Sequence, residues 1–331
     1  MNAFVFACIL LGGIAGVLAQ APLHDRLERI RADLFSRPEH LDQDVRDLKE
    51  ILAADPRSVE AHTLLGIAYR AIGTQDLMGE SIAEFRQALD IDPSLVPVRL
   101  YLARVYLDLG RAARAKEELE TALTQAPGNP QLLSLLGESE RQLKNPSRAV
   151  EVLQQTLKAD ESSVQARYYL GLALLDLGQR DDAIRELERV VQSSPPVSDP
   201  YLTLGTLYLN TGRAAEAIQT LNQGVHIDPR GLELHIQLAR AYRTKGLLDK
   251  AEAQLALAAP KDGAAPAMSA YQYQQVELDL NLERGFVKLQ RGQLVAAGDA
   301  FKKVLAMDPN NEQATRGLAE VNRKKKAGGG K

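Results

Sequence analysis

Apolar and polar positions follow the helical period along this chain, and the pattern itself repeats. From Val96 to Asn129, apolar residues recur every three or four positions in two successive runs. Gly110 separates the runs and Pro127 closes the second, which predicts two amphipathic helices joined by a tight turn. The same grammar restarts at Pro130, Val164, Ser198 and Leu232, each 34 residues after the last. An earlier copy begins near Val59 with three extra residues around Gln75–Gly79, and a later one begins near Leu278 after an insertion. A period of this length means one supersecondary unit stacked many times.

Read vertically, the copies agree in residue type. Leu65, Leu102, Leu136, Leu170, Leu204 and Leu238 share a column, and each is followed by a small residue: Gly66, Ala103, Gly137, Gly171, Gly205, Ala239. Three residues on stand Tyr69, Tyr106, Tyr208 and Tyr242, with Glu140 and Leu174 departing. The turn glycine is Gly73, Gly110, Gly178, Gly212, Gly246 and Gly292, with Lys144 the exception. In the second helix a small residue recurs as Ala115, Ala149, Ala183, Ala217, Ala251 and Ala297. A large one follows it as Phe85, Leu119, Leu153, Leu187, Leu221, Leu255 and Phe301. Proline closes the unit at Pro93, Pro127, Pro195, Pro229 and Pro309. Small residues at the helix crossing let the two backbones approach, and leucine and tyrosine fill the space beside them. No hairpin buries its own apolar face, so stability comes from stacking.

These columns resemble the tetratricopeptide repeat, L-G-x-x-Y…A-x-x-x-F/L…P on a 34-residue helix–turn–helix. The resemblance implies an all-α fold, a right-handed superhelix (an α-solenoid of helix-turn-helix repeats), and work in binding proteins. The family's first-helix Trp is absent, replaced by His62, Arg99, Leu133, Arg167, Tyr201, His235 and Asn281. The third copy, from Pro130, ends Asp160-Glu161 without proline, and the seventh has Arg284 where leucine is expected, so both units should be looser.

Residues 1–21 carry no charged side chain and run apolar from Ala3 to Ala19; Ala19-Gln20-Ala21 then supplies the small-residue pattern of a signal-peptidase site. This predicts a cut after Ala21 and an exported chain, periplasmic or extracellular. The rival reading is an uncleaved membrane anchor: no Lys or Arg precedes the apolar run, and about 20 apolar residues span a bilayer. Residues 22–58 read as a degenerate repeat-like pair, Asp25–Ser36 and Leu41–Ala54. Residues 59–265 hold six units. Residues 266–311 form a seventh whose first helix is extended from Met268, after a loop at Pro260–Pro266. A capping helix over 312–326 is expected to lay Ala314, Leu318 and Val321 on the last unit, with 327–331 a solvated tail.

Composition narrows the function further. Among 331 residues, 40 basic and 43 acidic side chains leave a formal charge of −3, which argues against nucleic-acid binding through a broad basic field. Cys8 is the single cysteine, so a disulfide framework, a zinc cluster and a CxxC site are excluded. The histidines at 24, 40, 62, 226 and 235 show no metal-ligand spacing, and His62 and His235 share the missing Trp's column, which points to packing. The acidic pairs Glu117-Glu118 and Asp181-Asp182 open second helices, where the helix dipole favours them. No cofactor, metal or catalytic set emerges, and the chain reads as a non-enzyme.

What remains is the concave wall of first helices. Its expected lining is Ile67, Arg70, Leu100, Arg104, Glu138, Arg141, Tyr168, Leu172, Leu202, Thr206, Asn210, Ile236, Arg240 and Arg243. The apolar members form a strip and the arginines flank it, which suits a protein or peptide segment carrying carboxylates. In the competing reading some of these residues only pack against neighbouring helices. By resemblance, such a scaffold serves an envelope assembly: secretion, pilus or polysaccharide export. A membrane-anchored regulator of envelope synthesis and an accessory subunit of a glycosyltransferase are the alternatives.

Overall fold

The computed structural model describes residues 23–37, 40–259 and 270–328, apart from the side chains of residues 35 and 270–272. The expected export signal and the expected loop at Pro260–Pro266 lie outside the described residues. The described chain is all α: 17 helices and no strand. It divides into two compact units at Val152/Leu153.

In the first unit, α1 (Leu23–Ser36) and α2 (Leu41–Ala54) precede the hairpins α3/α4 (Val59–Ile72, Gln75–Ile91) and α5/α6 (Val96–Asp108, Ala112–Gln125). Then comes α7 (Pro130–Gln142), and the division falls within α8 (Pro146–Ala159). The second unit contains α9/α10 (Val164–Asp176, Arg180–Gln192), α11/α12 (Asp199–Asn210, Ala214–Ile227) and α13/α14 (Leu232–Thr244, Leu248–Leu257). It closes with α15/α16 (Ala270–Gln290, Leu294–Met307) and α17 (Glu312–Gly328), two residues longer than the predicted cap.

Local chemistry explains the boundaries. Ser58 and Ser163 accept the backbone N–H of Ala61 and Ala166, and Asn129 accepts those of Gln131 and Leu132, so orphan donors at helix starts are satisfied. Pro97, Pro130 and Pro200 sit in first turns, where no backbone donor is needed. The turn glycines 73, 110, 178, 212, 246 and 292 all have φ between 67° and 77°. The three extra residues near Gln75 lengthen α4 to 17 residues, while the corresponding α6 has 14.

The small-residue column marks a close crossing. A Cβ built on Gly66 would lie 2.6 Å from the Phe85 ring, one on Gly171 2.9 Å from Leu187 Cγ, one on Gly205 2.5 Å from Leu221 Cγ, and one on Gly285 2.5 Å from Phe301. In each case the large residue of the second helix fills the space that the glycine leaves. Phe301 is also covered by Gly317 of α17, and Ala314 and Val321 are fully buried there with Leu318 beside them. At the other end, Leu27 and Ile30 of α1 join Leu48 and Ile51 of α2 in one core with Leu65 and Tyr69 of α3.

Within each unit a helix packs on the next one along, and the first helices also pack on one another. α1, α3, α5 and α7 stand side by side, as do α11, α13, α15 and α17. These two rows are the walls on which any groove is built.

Candidate functional site

In the first unit the open part of the wall lies between α1, α3 and α5. A cavity of about 440 Å³ is lined there by Arg31, Val59, Glu60, Thr63, Leu64, Ile67, Leu95, Pro97, Val98 and Tyr101. Of the residues expected in the groove, only Ile67 lines it. Arg70 donates to Asp108 at 2.8 Å. Leu100 is 8% exposed, because α5 is flanked by both α3 and α7. Glu138 is 5% exposed and accepts two bonds from Arg141 at 2.8 Å and one from Gln142 at 2.9 Å, all on its own helix. Leu100 and Glu138 are thus packing residues, and Arg70 and Arg141 already have carboxylates. Arg104 keeps its Nε buried without an acceptor among the described residues.

In the second unit a cavity of about 610 Å³ is lined by Leu175 of α9, Arg180 of α10, five residues of α11 (Leu202, Thr203, Thr206, Leu207, Asn210), and Glu233 and Gln237 of α13. Leu202, Thr206 and Asn210 were expected. Tyr168 stands at its α9 side, half-buried, with its hydroxyl 3.3 Å from Thr203 Oγ1, and Leu172 is also half-buried.

The expectation fails at the α13 end. Ile236 is 1% exposed and packs with Val276 and Leu280 of α15. Arg240 Nε donates to Glu283 Oε1 at 2.7 Å, and Arg243 Nε donates to Glu283 Oε2 at 2.8 Å while its guanidinium lies 5.1 Å from the Phe286 ring centre. The cause is α15, whose 21 residues lie against α13 and bring their own carboxylate. The arginines read as partner-binding are consumed inside the protein.

Subtracting them leaves three carboxylates on the row of first helices, with Arg180 beside Glu233 in the cavity lining. Asp199, Glu233 and Asp279 stand three residues before Leu202, Ile236 and Leu282 on α11, α13 and α15. Burial, then the charges of Asp279 and Asp199, push the Glu233 carboxyl above its usual range. Burial likewise raises Asp279; Glu283 adds to the effect and Arg240 opposes it. The 34-residue step from 199 to 233 and the restart near Leu278 put the three in one column of the sequence, which does not tell what they pair with.

The missing Trp column has a structural explanation. His62, Arg99, Arg167 and His235 each reach the backbone carbonyl six residues earlier, on Pro56, Pro93, Glu161 and Pro229, at 2.7–3.1 Å. Each also bonds an acceptor on the second helix: Glu84, Glu118, Glu186 and Gln254, at 2.6–2.8 Å. The Tyr201 hydroxyl makes the first contact alone, to Pro195 at 3.5 Å. These histidines therefore tie hairpins together. Among the described residues no group of three His, Cys, Asp or Glu is placed to hold a metal, and no helix is long and apolar enough to cross a membrane.

Tetratricopeptide repeat models match residues 78–138, 136–198, 174–231 and 212–272. The chain belongs to the tetratricopeptide repeat family. Among solved structures it is similar to the human IFIT1 dimer with PPP-AAAA (18% identity, 90% of this chain and 72% of that one, TM-score 0.65). It is also similar to pilF of Pseudomonas aeruginosa (17%, 69% and 98%, 0.57) and to the APC/C hetero-tetramer Cut9-Hcn1 (16%, 87% and 54%, 0.61). The chain spans about half the length of that last relative. At these identities the likeness concerns the fold. No curated protein matches the chain.

Proposed function

We propose that this protein is an exported scaffold that holds segments of a partner protein against the first-helix walls, without catalysis of its own. Tetratricopeptide repeat proteins bind protein or peptide partners, which is the general setting of the proposal. The observation that carries it is the second-unit cavity of about 610 Å³, where three leucines sit beside hydroxyl, amide and carboxylate groups. Such a mixture suits a peptide, whose side chains need apolar cover and whose backbone needs donors and acceptors.

The test is affinity capture from the producing cell with three variants. Thr63→Arg and Thr206→Trp alter the two walls, whereas Gln219→Arg changes an exposed position on α12. A partner held by the wild type and by Gln219→Arg should be lost from at least one wall variant. Capture unchanged by both wall variants would sink the groove reading.

The apolar run before Ala21 supports export and, with it, an envelope assembly as the setting. N-terminal sequencing of the protein from its own cell should begin at or near Pro22. Retention of Met1 would favour the membrane-anchored regulator instead.

A further inference from the structure

We propose that the wall of the second unit receives a basic segment: an extended stretch of a partner protein with lysine or arginine at every third position. This rests on the groove reading above and adds the chemistry of the occupant, opposite in sign to what the arginines of the sequence suggest.

The fold spends some charges of this wall and leaves others. On α13, Arg240 and Arg243 are both committed to Glu283, whose side chain is 2% exposed. No hydrogen bond or ion pair to a described residue engages Asp199, Glu233 or Asp279. These three share one position on three first helices that pack side by side, so their carboxylates form a row along the wall. Glu233 also lines the cavity, and there Gln237, one helical turn further on, has a buried Oε1 with no partner among the described residues. The Gln237 Oε1 is an acceptor out of contact with water; beside it burial and the charges of Asp279 and Asp199 raise the Glu233 carboxyl, and burial raises Asp279, where Arg240 opposes and Glu283 adds, so the site is short of donors. Arg180, at the α10 edge, is the sole cation of the cavity lining among the described residues.

Geometry selects the kind of cation. The three carboxylates are not grouped closely enough to hold a metal ion. Packed helices lie about 8–10 Å apart, and an extended chain advances about 3.3 Å per residue. A strand crossing α11, α13 and α15 thus meets a new carboxylate about every third residue. Leu175, Leu202 and Leu207 offer apolar cover to a side chain between the charges.

The experiment measures fluorescence anisotropy of the full chain with labelled synthetic peptides. The peptides share an alanine–leucine frame and carry three lysines at every third position, three adjacent lysines, or three glutamates at every third position. The spaced-lysine peptide should bind best, by about tenfold or more over the glutamate peptide, and more weakly as salt rises. The Asp199→Asn/Glu233→Gln/Asp279→Asn variant should lose that preference, with its circular dichroism unchanged. Equal or better binding of the glutamate peptide, or a lysine preference that survives the triple variant, overturns the charge assignment. The two readings fail separately. If Thr206→Trp weakens all peptides while charge sign makes no difference, the groove stands and the basic occupant falls. If no peptide responds to Thr206→Trp or to the triple variant, both fall.

Discussion

Lys144 stands where the other hairpins have a turn glycine, and it adopts the same left-handed conformation, with φ of 65°. The turn geometry is imposed by the two helices, and a side chain with a Cβ bears the local strain. Lys144→Gly should therefore stabilise the protein by about 1 kcal/mol, the usual left-handed penalty less the added freedom of the unfolded chain. Chemical denaturation of the two proteins checks it; a destabilised variant would show that the Lys144 side chain makes up for its backbone. The Trp substitutes teach a related lesson. Arg99, Arg167, His62 and His235 look unrelated in the sequence, yet each joins a carbonyl six residues back to an acceptor on the partner helix. The carbonyl offset never changes. The acceptor lies 19 residues on for Arg99, Arg167 and His235 and 22 for His62, which is the three-residue lengthening of α4 read out in hydrogen bonds.

At the scale of elements, α15 decides most of what differs from expectation. It covers Ile236 and supplies Glu283, so the α13 end of the predicted groove becomes an internal contact. Glu283 is buried and accepts from two guanidinium groups. Glu283→Gln would leave both cations short of their counter-charge, at a cost of roughly 2–4 kcal/mol. A loss of stability below about 1 kcal/mol by urea denaturation would mean that the triad is not a clamp between α13 and α15. The acidic row has the opposite energetic sign. Glu233 and Asp279 bind their protons more tightly folded than unfolded, because burial and neighbouring carboxylates disfavour the charged forms; for Asp279, Arg240 offsets part of this. A raised folded pKa in an acid penalises the folded state above that pKa and releases the penalty as pH falls through it. The Glu233→Gln/Asp279→Asn variant should melt higher than the wild type at pH 7, and the gap should close towards about pH 4. A gap that is absent at pH 7, or that widens on acidification, would contradict this.

For the molecule as a whole, the near-neutral formal charge of −3 conceals where charge is left available. Hairpins, turns, caps and crossings were legible in the chain because each depends on residues at a fixed short separation, repeated until chance is a poor explanation. A glycine facing Leu221 or Phe301 is set by the 34-residue register alone, and so is the αL turn that Lys144 endures. The availability of the wall side chains was not legible. Arg240 and Glu283 lie 43 residues apart across an insertion that resets the register, and Leu100 is buried by two neighbouring helices at once. Sequence by itself determined the repeating unit and the order of stacking, since these follow from local periodicity. Only tertiary packing determined which charges were neutralised and which carboxylates have no partner among the described residues, because ion pairing and desolvation depend on which helices meet.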